Sequence, residues 1–190
     1  MAIVNGIDTQ VLKEKMAAMK KEPALAEVRS RAHNKWSGGA YCRTTIKDFY
    51  AAGEDMSHKD RFELPADEPP VLLGEDHGPT ATEALLYALS SCVMTTLVYH
   101  ASVRNVKLNS LEIIADGKLD LRGFLGLSDE VRNGYSSITL TFKIDADASD
   151  EQIRELVELG QKRSPVFDMV THTTPVNAKI ESAAAVGQEV

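Results

Sequence analysis

Cys92 sits inside an uncharged and mostly apolar stretch, Ala84–Tyr99, and its thiol is the group here with the widest chemical reach. As a thiolate it is a nucleophile and a reductant. Left protonated among apolar neighbours it is an inert, small core residue, because burial raises a thiol pKa. Cys42 is the second thiol; it acts together with Cys92 only if their Cα atoms come within about 7 Å. His33, His58, His77, His100 and His172 form no HxH or HExxH pair, and there is no CxxC, so spacing offers no metal site. Nothing resembles GxGxxG or GxxxxGK[ST], and no cofactor is expected.

The element that must position Cys92 is announced by Thr80-x-x-Glu83, a capping box, with Pro79 fixing the entry of the chain. Glu83 is explained by that cap; it lies roughly 180° around an ideal helix from Cys92. A helix without charge around its circumference is predicted to be buried on nearly every side. It is expected to end near Tyr99-His100, which is short for a membrane span. His100 falls about two turns past Cys92 and reads first as a hydrogen-bonded terminator.

Around this helix the pattern is α+β, a long buried central helix against an antiparallel sheet. Residues 1–33 read as a helical arm, with Leu12, Met16 and Met19 on one stripe and Pro23 opening a second helical turn over Ala24–Arg31. Residues 34–181 form the main domain, and 182–190 a tail of small residues expected to fray. Asn34–Tyr50 suits a strand or hairpin, Arg61–Leu64 a short strand, and Lys107–Arg122 a strand. Gly123–Gly134 is a loop with Phe124, Leu125 and Leu127 at its apolar tip, packed on the core or walling a ligand site. Ser136–Asp145 is the clearest strand, with Ile138, Leu140, Phe142 and Ile144 on one face. Ser149-x-x-Gln152 caps a helix whose stripe is Ile153, Leu156, Val157 and Gly160; Ser164-Pro165 opens a short helix, and Val176–Ile180 reads as a last strand.

The chain has 190 residues, 43% of them hydrophobic, and a net charge of −7. That balance leaves no electrostatic footprint for nucleic acid and repels an anionic lipid surface. The start, Met-Ala-Ile-Val-Asn-Gly, has no basic region followed by an apolar core, so the cytoplasm is the expected address.

Three segments carry a family resemblance. Gly78-Pro-Thr-Ala-Thr-Glu-Ala-Leu-Leu-Tyr-Ala-Leu-Ser-Ser-Cys92, Leu119-Asp-Leu-Arg-Gly-Phe-Leu-Gly-Leu127 and Ser164-Pro-Val-Phe-Asp168 together resemble the OsmC/Ohr superfamily. The resemblance implies an intertwined homodimer with thiol sites at the subunit boundary. It also implies reduction of organic hydroperoxides by a peroxidatic thiol, here Cys92, tuned by an arginine and a glutamate. The resolving thiol of the two-cysteine members falls on Ser164, so the chain resembles a branch lacking that cysteine. Thr82 occupies the place of the best-known peroxidases' glutamate, leaving Glu83 as the nearest carboxylate. Ala40 occupies the strict arginine position after Gly38-Gly39, and Arg43 and Arg61 are the candidate cations. Cys42 is a candidate substitute for the resolving thiol.

Two functions follow. In one, Cys92 reduces a small hydroperoxide, with Arg43, Arg61 or Glu83 in support and an external thiol as reductant. In the other, the dimer is a non-catalytic, stress-associated module that binds a small apolar or thiol ligand.

Overall fold

The computed structural model describes residues 3–181. The chain opens on a small hairpin, β1 (Ile3–Val4) and β2 (Ile7–Asp8), turned by Asn5 (φ 51°) and Gly6 (φ 79°). Asp8 then caps α1 (Thr9–Lys21) by accepting hydrogen bonds from the Gln10 and Val11 amides. The second helical turn read over Ala24–Arg31 is only partly there. Residues Pro23–Ala26 make one 3-10 turn, and β3 (Arg29–Ser30) follows as a strand. The boundary at residue 33 therefore moves: Arg29 and Ser30 pair with Tyr50 and Phe49 and belong to the sheet.

That sheet is built on β5 (Tyr41–Ala51). β3 and β4 (His33–Gly38) lie along one edge of β5, and β6 (Glu54–Ala66) along the other. The short strand read at Arg61–Leu64 is thus the end of a 13-residue one. Directly paired residues share a face. Asn34, Thr44 and Leu64 make one row, Trp36, Cys42 and Ala66 another, and Ile46 pairs with Phe62; this is the apolar face. His33, Thr45 and Glu63, and beside them Lys35, Arg43 and Pro65, line the opposite face.

The remaining body is organised by α2 (Ala81–Val103), whose capping box forms with both hydrogen bonds in place. It is longer than the sequence pattern suggests, ending at Arg104 rather than near Tyr99. Its length and apolarity would suffice for a membrane span, but Leu89, Val93, Leu97 and Ala101 form a buried stripe. Against that stripe pack β7 (Leu108–Lys118) and α4 (Asp150–Arg163). Gly160 on α4 allows the approach: a Cβ there would stand 3.2 Å from Leu97 Cβ. β8 (Ser137–Ala146) pairs with β7 and turns Ile138, Leu140, Phe142 and Ile144 toward the core as the alternation predicts. Between them, α3 (Leu121–Phe124) is a single turn, where a continuing strand was expected up to Arg122.

Ser164 caps both α4 and α5 (Pro165–Thr171), as its place before Pro165 predicts. Val176–Ile180 is not a strand; it is exposed and pairs with none of the described strands. The predicted fraying of 182–190 lies outside the described residues.

The largest departure concerns α2. Burial on nearly every side does not occur within one chain: Leu85, Tyr87, Thr95 and Tyr99 are exposed. The sheet around β5 makes at most marginal contact with α2 or with β7 and β8, and its apolar face is likewise open, with Phe62, Leu64 and Trp36 exposed.

Candidate active site on the central helix

Cys92 sits mid-way along α2, one residue before buried Val93 and therefore about 100° from it. Positions three, four and seven residues away share its helix face, and these are Leu85, Ala88, Leu89, Thr95, Thr96 and Tyr99. Leu89 is buried, Ala88 and Thr96 are half-buried and the other three are exposed, so the half-buried thiol lies at the edge between the core stripe and an open face. Thr96 Oγ1 donates to the Cys92 carbonyl at 2.8 Å, satisfying its own hydroxyl without touching the sulfur. Cys42 is also a free, half-buried thiol, placed on β5 between Trp36 and Ala66.

The other residues singled out by sequence are not gathered around Cys92 within the chain. Glu83 Oε2 accepts from the Thr80 amide at 2.8 Å and from its hydroxyl at 3.0 Å, so its carboxylate is occupied by the cap. Arg43 Nε donates to the Tyr41 hydroxyl at 2.6 Å, which raises its guanidinium further above its usual range. Arg61 lies on the same sheet face, facing a cavity it shares with Arg43. Ser164 is fully buried, and its Oγ accepts from the Phe167 amide at 3.2 Å, so the hydroxyl works as a cap. His100 is held neutral: burial pushes its pKa down first, and the charges of Arg104 and Arg163 add to that.

A cluster that sequence reading missed fixes the entry of α2. The buried Asp67 carboxylate accepts from the Glu68, Glu75 and His77 amides and lies 2.9 Å from His77 Nδ1. Burial alone would raise the Asp67 pKa, but these hydrogen bonds outweigh it and hold the carboxyl below its usual range. The His77 ring lies 4.8 Å from that of Tyr41, so Arg43, Tyr41, His77 and Asp67 form a chain from β5 to the start of α2. The loop must be tight here: a Cβ on Gly74 would overlap the Glu68 carbonyl. The Gly and Pro residues between Asp67 and Pro79 were the only local sign of it.

This arrangement, a capped apolar helix bearing one thiol and backed by an antiparallel pair and an amphipathic helix, is matched over residues 74–179 by the family model described as OsmC-like protein. The chain belongs to the OsmC family. Its fold agrees with solved OsmC structures. An OsmC-like protein from Mycoplasma pneumoniae is 17% identical, with a TM-score of 0.58 over 76% of this chain and 89% of that one. An OsmC-like protein of unknown function from Vibrio cholerae is 12% identical, with a TM-score of 0.56 over 74% and 92%. A Legionella pneumophila protein described as an organic hydroperoxide resistance protein OsmC is 13% identical, with a TM-score of 0.50 over 74% and 88%. Among curated proteins no sequence match was found. At these identities the likeness establishes the OsmC fold, and the chemistry rests on the site itself.

Proposed function

We propose that this OsmC-family chain is a cytoplasmic homodimer that reduces organic hydroperoxides with Cys92 as its single reactive thiol. The position of Cys92 carries the reading. The thiol matches the cysteine of the family by sequence resemblance, and it borders a face of α2 that its own chain leaves open, with Leu85 and Tyr99 exposed there. A second subunit covering that face would enclose the thiol in an apolar pocket suited to an alkyl hydroperoxide. The Cys92 thiolate attacks one peroxide oxygen, the O–O bond breaks, and the alkoxide leaves and takes a proton to become an alcohol. Cys92 is then a sulfenic acid. An external thiol condenses with it, releasing water, and a second thiol frees Cys92 by disulfide exchange.

The surface area supports the dimer. The chain exposes 14339 Å², whereas a folded monomer of this mass exposes roughly 8,900 Å².

Arg43 and Arg61 are the cations proposed for the thiol of the other subunit, and Glu83 supports the helix start on which the site stands. The decisive experiment is the rate of Cys92 alkylation against pH. A midpoint well below the free-thiol value of about 8.5 supports the reaction. Arg43→Met or Arg61→Met should then raise it, a tenfold weakening of thiolate formation corresponding to about 1.4 kcal/mol.

A second reading has its own observation. Among the described residues no cationic side chain hydrogen-bonds the Cys92 thiol, and the Glu83 carboxylate is taken by Thr80. A midpoint at or above the free-thiol value, unmoved by either arginine change, favours a dimeric module that binds a small apolar or thiol ligand.

A further inference from the structure

The polar face of the β5 sheet carries an excess of positive charge. Two adjoining cavities, of about 420 and 290 Å³, share His33, Thr45 and Arg61 as walls. Their linings together hold five permanent cations, Arg31, Lys35, Arg43, Lys47 and Arg61, against two carboxylates, Asp48 and Glu63. This local surplus of three stands in a chain whose net charge is −7. Like charges placed directly opposite across strands destabilise a sheet, yet Lys35 and Arg43 are direct partners in the register.

Some cations elsewhere are paired, Arg104 with Glu155, Lys107 with Asp147, Arg122 with Asp120 and Lys143 with Glu112, and others stand alone on the surface. None of the five on this face has a carboxylate within ion-pair distance among the described residues, and here they are concentrated around one cleft. Arg43 is hydrogen-bonded to the Tyr41 hydroxyl and Lys47 to the backbone carbonyls of His58 and Lys59. Among the described residues the side chains of Arg31, Lys35 and Arg61 make no hydrogen bond.

We infer that this cleft binds a small polyanion of the phosphate-ester or polyphosphate class. Alternate residues along a strand lie about 7 Å apart and paired residues about 5 Å. The free donors are thus spread over a patch that matches several linked phosphates better than one carboxylate. Guanidinium and ammonium groups are the side chains suited to phosphate oxygens. The cleft volumes suit a metabolite, while the acidic remainder of the surface disfavours a nucleic acid. Trp36 also contributes to the lining of the smaller cavity, although its row in the sheet belongs to the opposite face.

The cleft shares Arg43 and Arg61 with the proposed thiol chemistry, whereas Lys35 and Arg31 take no part in it and so test the cleft separately. Trp36 is the chain's one tryptophan and lines the smaller cavity, so its fluorescence is one readout and calorimetry the independent one. Titration of the full-length protein with inorganic tripolyphosphate at physiological salt, checked by calorimetry, should give saturable binding below about 1 mM, an affinity ordinary for a small-molecule site. Lys35→Gln and Arg31→Gln, both exposed changes, should each weaken it at least about threefold and reduce its salt dependence, with the melting temperature retained. Cys92→Ser should bind as the parent does. No saturable signal overturns the inference, as does equal binding by the two charge variants. Citrate binding as tightly at matched ionic strength overturns the assignment to phosphate.

Discussion

Cys92 has a distinct fate if it reacts. With Ser164 buried as a cap where a second thiol stands in the two-cysteine enzymes, an organic hydroperoxide should leave a sulfenic acid that dimedone tags. Excess oxidant should carry it to the sulfinic acid. Non-reducing peptide mapping checks this: a Cys42–Cys92 crosslink forming as fast as peroxide disappears would make Cys42 the resolving residue. Glu83 and Thr80 should separate stability from chemistry. Thr80→Ala should cost about 1 kcal/mol in urea unfolding, and Glu83→Gln less, with the alkylation midpoint of Cys92 unchanged in both. His100 gives a pH signature. Its ring is held neutral in the fold, so below the unfolded value of about 6.5 the unfolded chain takes up its proton first. Stability should therefore fall as pH drops through that value, and His100→Gln should flatten the slope of melting temperature between pH 7.5 and 5.5. Of these groups the caps at Thr80, Glu83 and Ser164 were legible in the sequence, because each acts within a few residues of itself. The Asp67–His77–Tyr41 cluster was not, since its partners come from different elements and share no spacing.

At the scale of elements, periodicity identified β8, α4 and the start of α2, and missed what depends on neighbours. Val176–Ile180 has a strand's composition but joins none of the described sheets. The hairpin at Ile3–Asp8 had a local signal, Asn5-Gly6 between apolar residues, that the helical pattern after it obscured. That hairpin has a defined task. The Asn5 side chain donates to Ser102 Oγ and the Val106 carbonyl and accepts from the Leu108 amide, tying it to the end of α2 and the start of β7. Gly160 is a point of close approach between α2 and α4. Gly160→Leu should separate them and cost about 1–3 kcal/mol, the range for overpacking, read as a drop in the urea midpoint without a change in slope.

For the molecule as a whole, the α+β class and the central helix were legible, while the uncovered faces were not. Hydropathy shows that a face wants cover but not whether the same chain supplies it. α2 hides only the stripe of Leu89, Val93, Leu97 and Ala101 in its own chain, and the β5 sheet leaves Phe62 and Leu64 open. Light scattering should give about twice the chain mass of 20.8 kDa with no folded monomer on dilution. A stable monomer would remove both the dimer and the enclosed thiol pocket.

The β5 sheet, residues 29–66, precedes α2 in the chain and has little of its own body to lie on. During synthesis it emerges from the ribosome first, with its apolar face still uncovered. If a second chain is what covers it, assembly becomes second order in concentration, and low expression would leave a protease-sensitive amino-terminal third. It also makes inheritance unequal: two alleles expressed together would form mixed pairs, and one faulty copy would impair the sound one it joins.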